Sequence, residues 1–120
     1  MLEKTERGAG DEARTVARGQ LTITRRAGEG RCLVGLEGEL DLATADAVRA
    51  ELEAAEADGA ELTVVDLSAL RFIDSTGLSV LFDAVERAAA IRRRITFTRS
   101  SPEVERTLRL TGLDRILSFD

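Results

Sequence analysis

Hydrophobic positions along the chain change period several times, and each change marks an element. Leu21-Thr22-Ile23-Thr24 alternates with period two, and Cys32-Leu33-Val34-Gly35-Leu36 does the same. Such alternation is the signature of a half-buried strand, and the glycines of Arg26-Ala27-Gly28-Glu29-Gly30 between the two runs suit a hairpin loop. After Asp41 the period becomes helical: Ala45, Val48, Leu52 and Ala55 form one stripe, while Arg49, Glu51, Glu53 and Glu56 are expected to face outward. Thr44 and Gly59 bracket that helix as cap and terminator. Leu62-Thr63-Val64-Val65-Asp66-Leu67 reads as a largely buried strand, followed by a loop from Ser68 to Gly77.

A second helix sends Leu78, Leu81, Phe82, Val85 and Ala89 inward and exposes Asp83 and Arg87 as an i,i+4 pair. Arg94 to Thr98 is the next strand. Ser101, Pro102 and Glu103 open a third helix and Gly112 closes it, with Leu113 placed to touch Leu108. Leu113 to Phe119 is a short apolar tail suited to a last edge strand. Residues 1–19 are polar and without period and read as a flexible arm, which leaves 20–120 as one folded domain. The predicted order is β-β-α-β-α-β-α. Strands separated by helices run parallel, so the fold class is α/β, with a mixed four- to five-stranded sheet backed by helices.

Composition narrows the chemistry. At 120 residues the chain is one domain, able to bury roughly two-thirds of its unfolded surface without a disulfide or metal staple. There is no histidine, which excludes a Ser-His-Asp or Cys-His site and any histidine-based metal site. The single cysteine, Cys32, lies in an apolar strand and reads as a small buried hydrophobe. The net charge is −5, and residues 1–20 contribute four basic and four acidic side chains to it. The acidity therefore belongs to the folded part, where a nucleic-acid binder would need a basic face. Arg92-Arg93-Arg94 reads as a solvated loop. No apolar run approaches the roughly 20 residues that cross a bilayer, and no apolar stretch follows the charges of the first six residues. A cytoplasmic protein with no membrane contact is expected.

Sites in open α/β sheets form beyond the carboxyl ends of the parallel strands. Two segments leave that edge side by side, one carrying Glu39 and Asp41, the other Asp74-Ser75-Thr76-Gly77. Asp74 is the better helix cap. With Asp74 as cap, Ile73 before it and Leu78 at the fourth helical position form a hydrophobic staple, whereas a Ser75 cap would place Ser79 there. Ser75 then holds the first helical position with its hydroxyl outward, and Gly77 leaves room for another chain's backbone to approach. Taken locally, Asp-Ser-Thr-Gly before an apolar helix is also ordinary capping chemistry, and Asp41 an ordinary loop residue.

Three segments in order extend the reading: Gly38-Glu39-Leu40-Asp41 with Thr44-Ala45, Val65-Asp66-Leu67-Ser68 running on to Phe72-Ile73-Asp74-Ser75-Thr76-Gly77-Leu78, and Leu110-Thr111-Gly112-Leu113-Asp114-Arg115. From about Gln20 to Phe119 the chain resembles the STAS-domain anti-sigma factor antagonists. The resemblance implies a STAS-like fold. It also implies that Ser75 is phosphorylated by an anti-sigma factor that is itself a serine kinase, with Asp41 and Asp74 around it. In that family the unphosphorylated antagonist binds the anti-sigma factor and frees a sigma factor, and a serine phosphatase resets the switch. No catalytic residue, cofactor or metal is implied. Two departures stand out. The family usually runs on into one more C-terminal helix, and Thr76 replaces a common second serine, which makes it a competing acceptor. The resemblance also admits a STAS-like binding module of a transporter or signalling scaffold, without phosphorylation. A nucleotide-handling enzyme would need a glycine-rich phosphate loop with its lysine, and the only lysine is Lys4. A phospho-aspartate receiver would need an acidic pair after the first strand.

Overall fold

A computed structural model describes residues 12–119. Five strands, β1 (Glu12–Arg18), β2 (Leu21–Gly28), β3 (Arg31–Leu40), β4 (Leu62–Ile73) and β5 (Arg94–Phe97), lie side by side in chain order. The helices are α1 (Ala45–Ala57), α2 (Ser75–Ala90) and α3 (Pro102–Thr111). β1, β2 and β3 pair antiparallel, whereas β3, β4 and β5 pair parallel across the helical connections. The expected α/β class and mixed sheet are present, with one strand more at the amino end: the order is β-β-β-α-β-α-β-α.

That extra strand corrects the expected arm. Residues 12–18 are β1, paired with β2 from Glu12↔Ala27 to Arg18↔Leu21; the remainder of the arm, 1–11, lies outside the described residues. The strand escapes a periodicity reading because it is an edge with little apolar content. Among the described side chains of β1, Val16, opposite Ile23, is the hydrophobic one that packs against the core. A charge cluster supplies the other tie. Glu51 on α1, expected to face outward, is buried, with its carboxylate 2.8 Å from the Arg25 guanidinium and 3.1 Å from that of Arg14. Burial alone would raise the Glu51 pKa, but hydrogen bonds from Arg25 and Arg14 outweigh it and hold the carboxyl below its ordinary value.

β3 and α1 follow their predicted periods. Cys32, Val34, Leu36 and Leu40 point to the buried face of the sheet, and Val48, Leu52 and Ala55 cover it from α1. Cys32 is a core filler, and burial pushes its thiol pKa up. On α2 the inward side chains are Leu78, Val80, Leu81, Ala84 and Ala88, leaving Phe82 and Val85 half-buried and Ala89 exposed. Arg87 pairs across helices with Glu56 at 3.1 Å, not along α2 with Asp83. Both differences arise because α2 packs on α1 as well as on the sheet. Ser101 accepts from the Val104 N–H at 3.3 Å, Pro102 begins α3, and Gly112 ends it in the left-handed region. The apolar tail forms a 3₁₀ turn at Leu113–Arg115, and Phe119 then makes a single parallel bridge to Phe97. No helix among the described residues is long and apolar enough to cross a membrane.

The second correction concerns β4, which continues through Ile73 where a loop from Ser68 was expected. Its register against β3 slips twice, from Gly35↔Asp66 to Glu37↔Ala69 and from Gly38↔Leu70 to Glu39↔Phe72. Each slip inserts one extra residue. The buried side chains therefore fall at Leu67, Leu70 and Ile73, a spacing of three that hides a strand from any search for period two. Asp66 ties the first slip to the end of β5. Its Oδ1 accepts from the Ser68 hydroxyl at 2.7 Å, the Ser68 N–H at 2.9 Å and the Thr98 hydroxyl at 2.9 Å. The Ser68 hydroxyl bond is the main reason the Asp66 carboxyl sits below its ordinary pKa.

Candidate functional site

The bulged end of β4 sets the geometry of the site. The second slip brings β3 and β4 to an even finish at the pair Leu40↔Ile73, and the Leu40 carbonyl accepts from the Asp74 N–H at 3.1 Å. Asp41 and Asp74 therefore leave neighbouring strand ends side by side. The expectation that Asp41 and the Asp74-Ser75 pair share one surface is met through this pairing.

Asp41 is half-buried in a tightly tied turn. Its Oδ1 accepts from the Ala43 N–H at 3.0 Å, its own N–H donates to the Thr44 hydroxyl at 2.9 Å, and its carbonyl accepts from the Ala45 N–H at 2.8 Å. Thr44 holds the N-cap position of α1 but makes no side-chain cap bond. Its hydroxyl, fully buried, donates instead to the Glu39 carbonyl at 3.0 Å. Thr44 thus fixes the Asp41 turn rather than the helix.

Asp74 is the N-cap of α2, as the staple argument requires. Its backbone is extended and its Oδ1 accepts from the Gly77 N–H at 3.0 Å. Ser75 takes the first helical position and is exposed, whereas Thr76 is half-buried, so of the two candidate acceptors Ser75 is the accessible one. Gly77 corrects an expectation. It is buried, and a Cβ there would lie 2.6 Å from Leu40 Cγ and 2.9 Å from the Leu40 carbonyl oxygen. The close approach Gly77 permits is that of this chain's own β3, not of a partner.

Other polar groups at the edge are engaged as well. Glu39 faces Arg71 at 4.0 Å, an exposed pair of small energetic weight. Two residues that the hydrophobic pattern did not single out complete the surface: Leu42 is 76% exposed and Phe72 is 48% exposed. Leu42 could have been noticed as a leucine on no stripe, wedged between a cap residue and a turn aspartate. Phe72 could not, because its direction depends on the second register slip. Both aspartates accept backbone N–H groups, and Ser75, Leu42 and Phe72 are exposed near the ends of these strands.

A mixed sheet with a capped helix starting beside the β3–β4 finish, and a serine at that helix's first position, defines a small α/β domain of a recognisable kind. The STAS domain model matches residues 20–120, and the chain belongs to the STAS-domain family. It is 32% identical over 95 residues to the anti-sigma-F factor antagonist RsfB of Mycobacterium tuberculosis, across 79% of this chain and 77% of that one. An anti-sigma factor antagonist from Mycobacterium paratuberculosis has the same fold, with a TM-score of 0.72 and 28% identity over 93% of this chain and 88% of that one. The anti-sigma factor antagonist SpoIIAA shares the fold in its unphosphorylated form, with a TM-score of 0.70, 22% identity, and 82% and 87% coverage. In its phosphorylated form, solved from Bacillus, the TM-score is 0.59 with 19% identity and 90% coverage of both chains.

Proposed function

We propose that this chain is an anti-sigma factor antagonist switched at Ser75. Unphosphorylated, it binds an anti-sigma factor serine kinase in the cytoplasm and so frees a sigma factor. The kinase phosphorylates Ser75 and ends the complex, and a serine phosphatase restores the binding form. The chain contributes binding and no catalysis, and it touches neither nucleic acid nor membrane. The observation that carries this reading is the exposed Ser75 hydroxyl at the start of α2, one residue beyond a cap already satisfied by Asp74. The similarity to anti-sigma factor antagonists supports the same partner class.

The physics favours a switch by blocked docking over one by unfolding. A phosphate adds about −1.5 to −2 charges at a helix start. The helix dipole favours it by roughly 0.3–1 kcal/mol. Asp41 and Asp74 oppose it, each by about 1 kcal/mol if well solvated near 4 Å. Within the free chain these effects nearly cancel. A partner covering the edge must instead desolvate a dianion, which costs several kcal/mol, and each 1.4 kcal/mol is tenfold in affinity.

Phosphosite mapping of the protein from its own cells, with Ser75→Ala as control, tests the reading. Phosphate on Ser75 that disappears in the control is the expected result. Thr76 as the sole modified residue, or a chain unmodified under every growth condition, would count against it. The latter outcome would favour a constitutive STAS-like binding module of a transporter or signalling scaffold.

A further inference from the structure

β1 closes the sheet on one side, and among the described residues no strand pairs with its outer edge. Its pairing with β2 runs unbroken from Glu12↔Ala27 to Arg18↔Leu21. The connecting turn has two residues, with Gly19 first at φ +55°, so Arg18 and Leu21 are its closing hydrogen-bonded pair. Counting back by twos, Val16, Arg14 and Glu12 direct their backbone groups to β2, whereas Ala17, Thr15 and Ala13 turn theirs to the outer edge. These three residues are exposed. β1 also lacks the proline, lysine or bulge that commonly blunts a free edge.

We infer that this edge pairs with the same edge of a second copy, antiparallel about a two-fold axis through Thr15, joining two five-stranded sheets into one. Charge selects that register. Centred on Thr15, the whole of β1 overlaps: Ala13 lies opposite Ala17, Arg14 opposite Val16, and the glutamate of position 12 opposite the arginine of position 18, on each side of the axis. Opposite charges facing across antiparallel strands attract, and like charges repel. Moving the axis to Val16 would set Arg14 against Arg18, and moving it to Arg14 would set that residue against its own copy. An axis between residues would place the face of β1 that meets Glu51 and the core opposite its open face, which a continuous sheet forbids. In the Thr15 register the edge N–H and C=O groups of Ala13, Thr15 and Ala17 all gain partners, and the open face meets only through these small side chains. Arg14 keeps its bond to Glu51. The axis turns the second copy end for end, so the two Ser75 positions lie at opposite ends of the joined sheet and the pairing does not depend on the function proposed for them.

Sedimentation equilibrium of the full chain, alone and as Glu12→Arg and Arg18→Glu, tests the pairing. The wild type should form a dimer that dissociates on dilution. Each reversal turns both charge pairs of the dimer into like-charge pairs and should weaken it by about tenfold or more. An equimolar mixture of the two variants sets each reversed charge against an opposite one, and it should dimerise as the wild type does. In concentrated wild type, amide exchange at Thr15 and Ala17 should slow by about tenfold relative to dilute protein. A wild type that stays monomeric at every concentration, single variants that dimerise as well as the wild type, or a mixture no tighter than its components would each overturn the inference and leave the reading of Ser75 untouched. Should a variant fail to fold, the wild-type Thr15 amide decides alone, and exchange independent of concentration there overturns the pairing.

Discussion

At the residue scale, two neighbouring positions at the start of α2 do opposite jobs. Gly77 exists to be small: its missing Cβ is where Leu40 Cγ and the Leu40 carbonyl already sit. Gly77→Ala should destabilise the fold by about 2 kcal/mol through overpacking, read as a lowered denaturant midpoint. Asp74 supplies the cap bond to the Gly77 N–H, so Asp74→Ala should cost about 1 kcal/mol. Ser75, exposed between them and making no contact on which the core depends, should tolerate Ala within about 0.5 kcal/mol. A Ser75→Ala protein as destabilised as Gly77→Ala would mean that the serine is structural. Gly38 belongs with Gly77. Its φ is +118°, and a Cβ there would lie 2.0 Å from the Gln20 carbonyl oxygen, where β3 passes the start of β2. The glycines of two of the resemblance-bearing segments thus serve close packing.

At the element scale, β1 holds to the sheet with little apolar help. It lies at the sheet edge and is fastened on its core side by Val16 and the Arg14–Glu51–Arg25 cluster. Glu51→Ala leaves Arg25, which is only 15% exposed, without its buried partner. The expected loss is about 2 kcal/mol, and amide exchange in β1 should accelerate more than in β3 or β4. Equal acceleration in all strands would mean that β1 opens only with the whole domain. β4 is the opposite case. It is paired on both sides up to Val65; its two extra residues lie beyond the pairing with β5, and Asp66, Ser68 and Thr98 pin the first slip.

Over the whole molecule, two carboxylates link stability to pH. Glu51 and Asp66 both titrate below their ordinary values in the folded chain. A group with a lowered folded-state pKa contributes stability that is present above its unfolded value, near 4, and is lost as pH falls through the folded one. The melting temperature should therefore hold steady from neutral pH down to about 5 and drop below about 4. Glu51→Gln, read in the same titration, should flatten part of that drop; an unaltered profile would remove Glu51 from the account. A phosphate on Ser75 would touch none of the hydrogen bonds of Glu51 or Asp66, and by the near-cancellation above it should leave the far-ultraviolet circular dichroism unchanged.

What the sequence determined by itself was everything governed by local period and punctuation. The alternation of β2 and β3, the stripe of α1, the Ser101–Gly112 boundaries of α3 and the Asp74 cap follow from side chains acting on their own few neighbours, and so they are readable in order along the chain. The outward Ser75 follows from the cap. What only tertiary structure decided were the features set by residues distant in sequence. β1 forms because β2 offers an edge and Glu51, 37 residues from Arg14, offers a buried carboxylate. The slips of β4 exist because β3 is two residues shorter over the paired length, and they alone turn Phe72 outward. Gly77 faces inward because α2 starts where β3 ends. Local pattern carries no signal for any of these, since in each case the deciding neighbour is reached only after the sheet has formed.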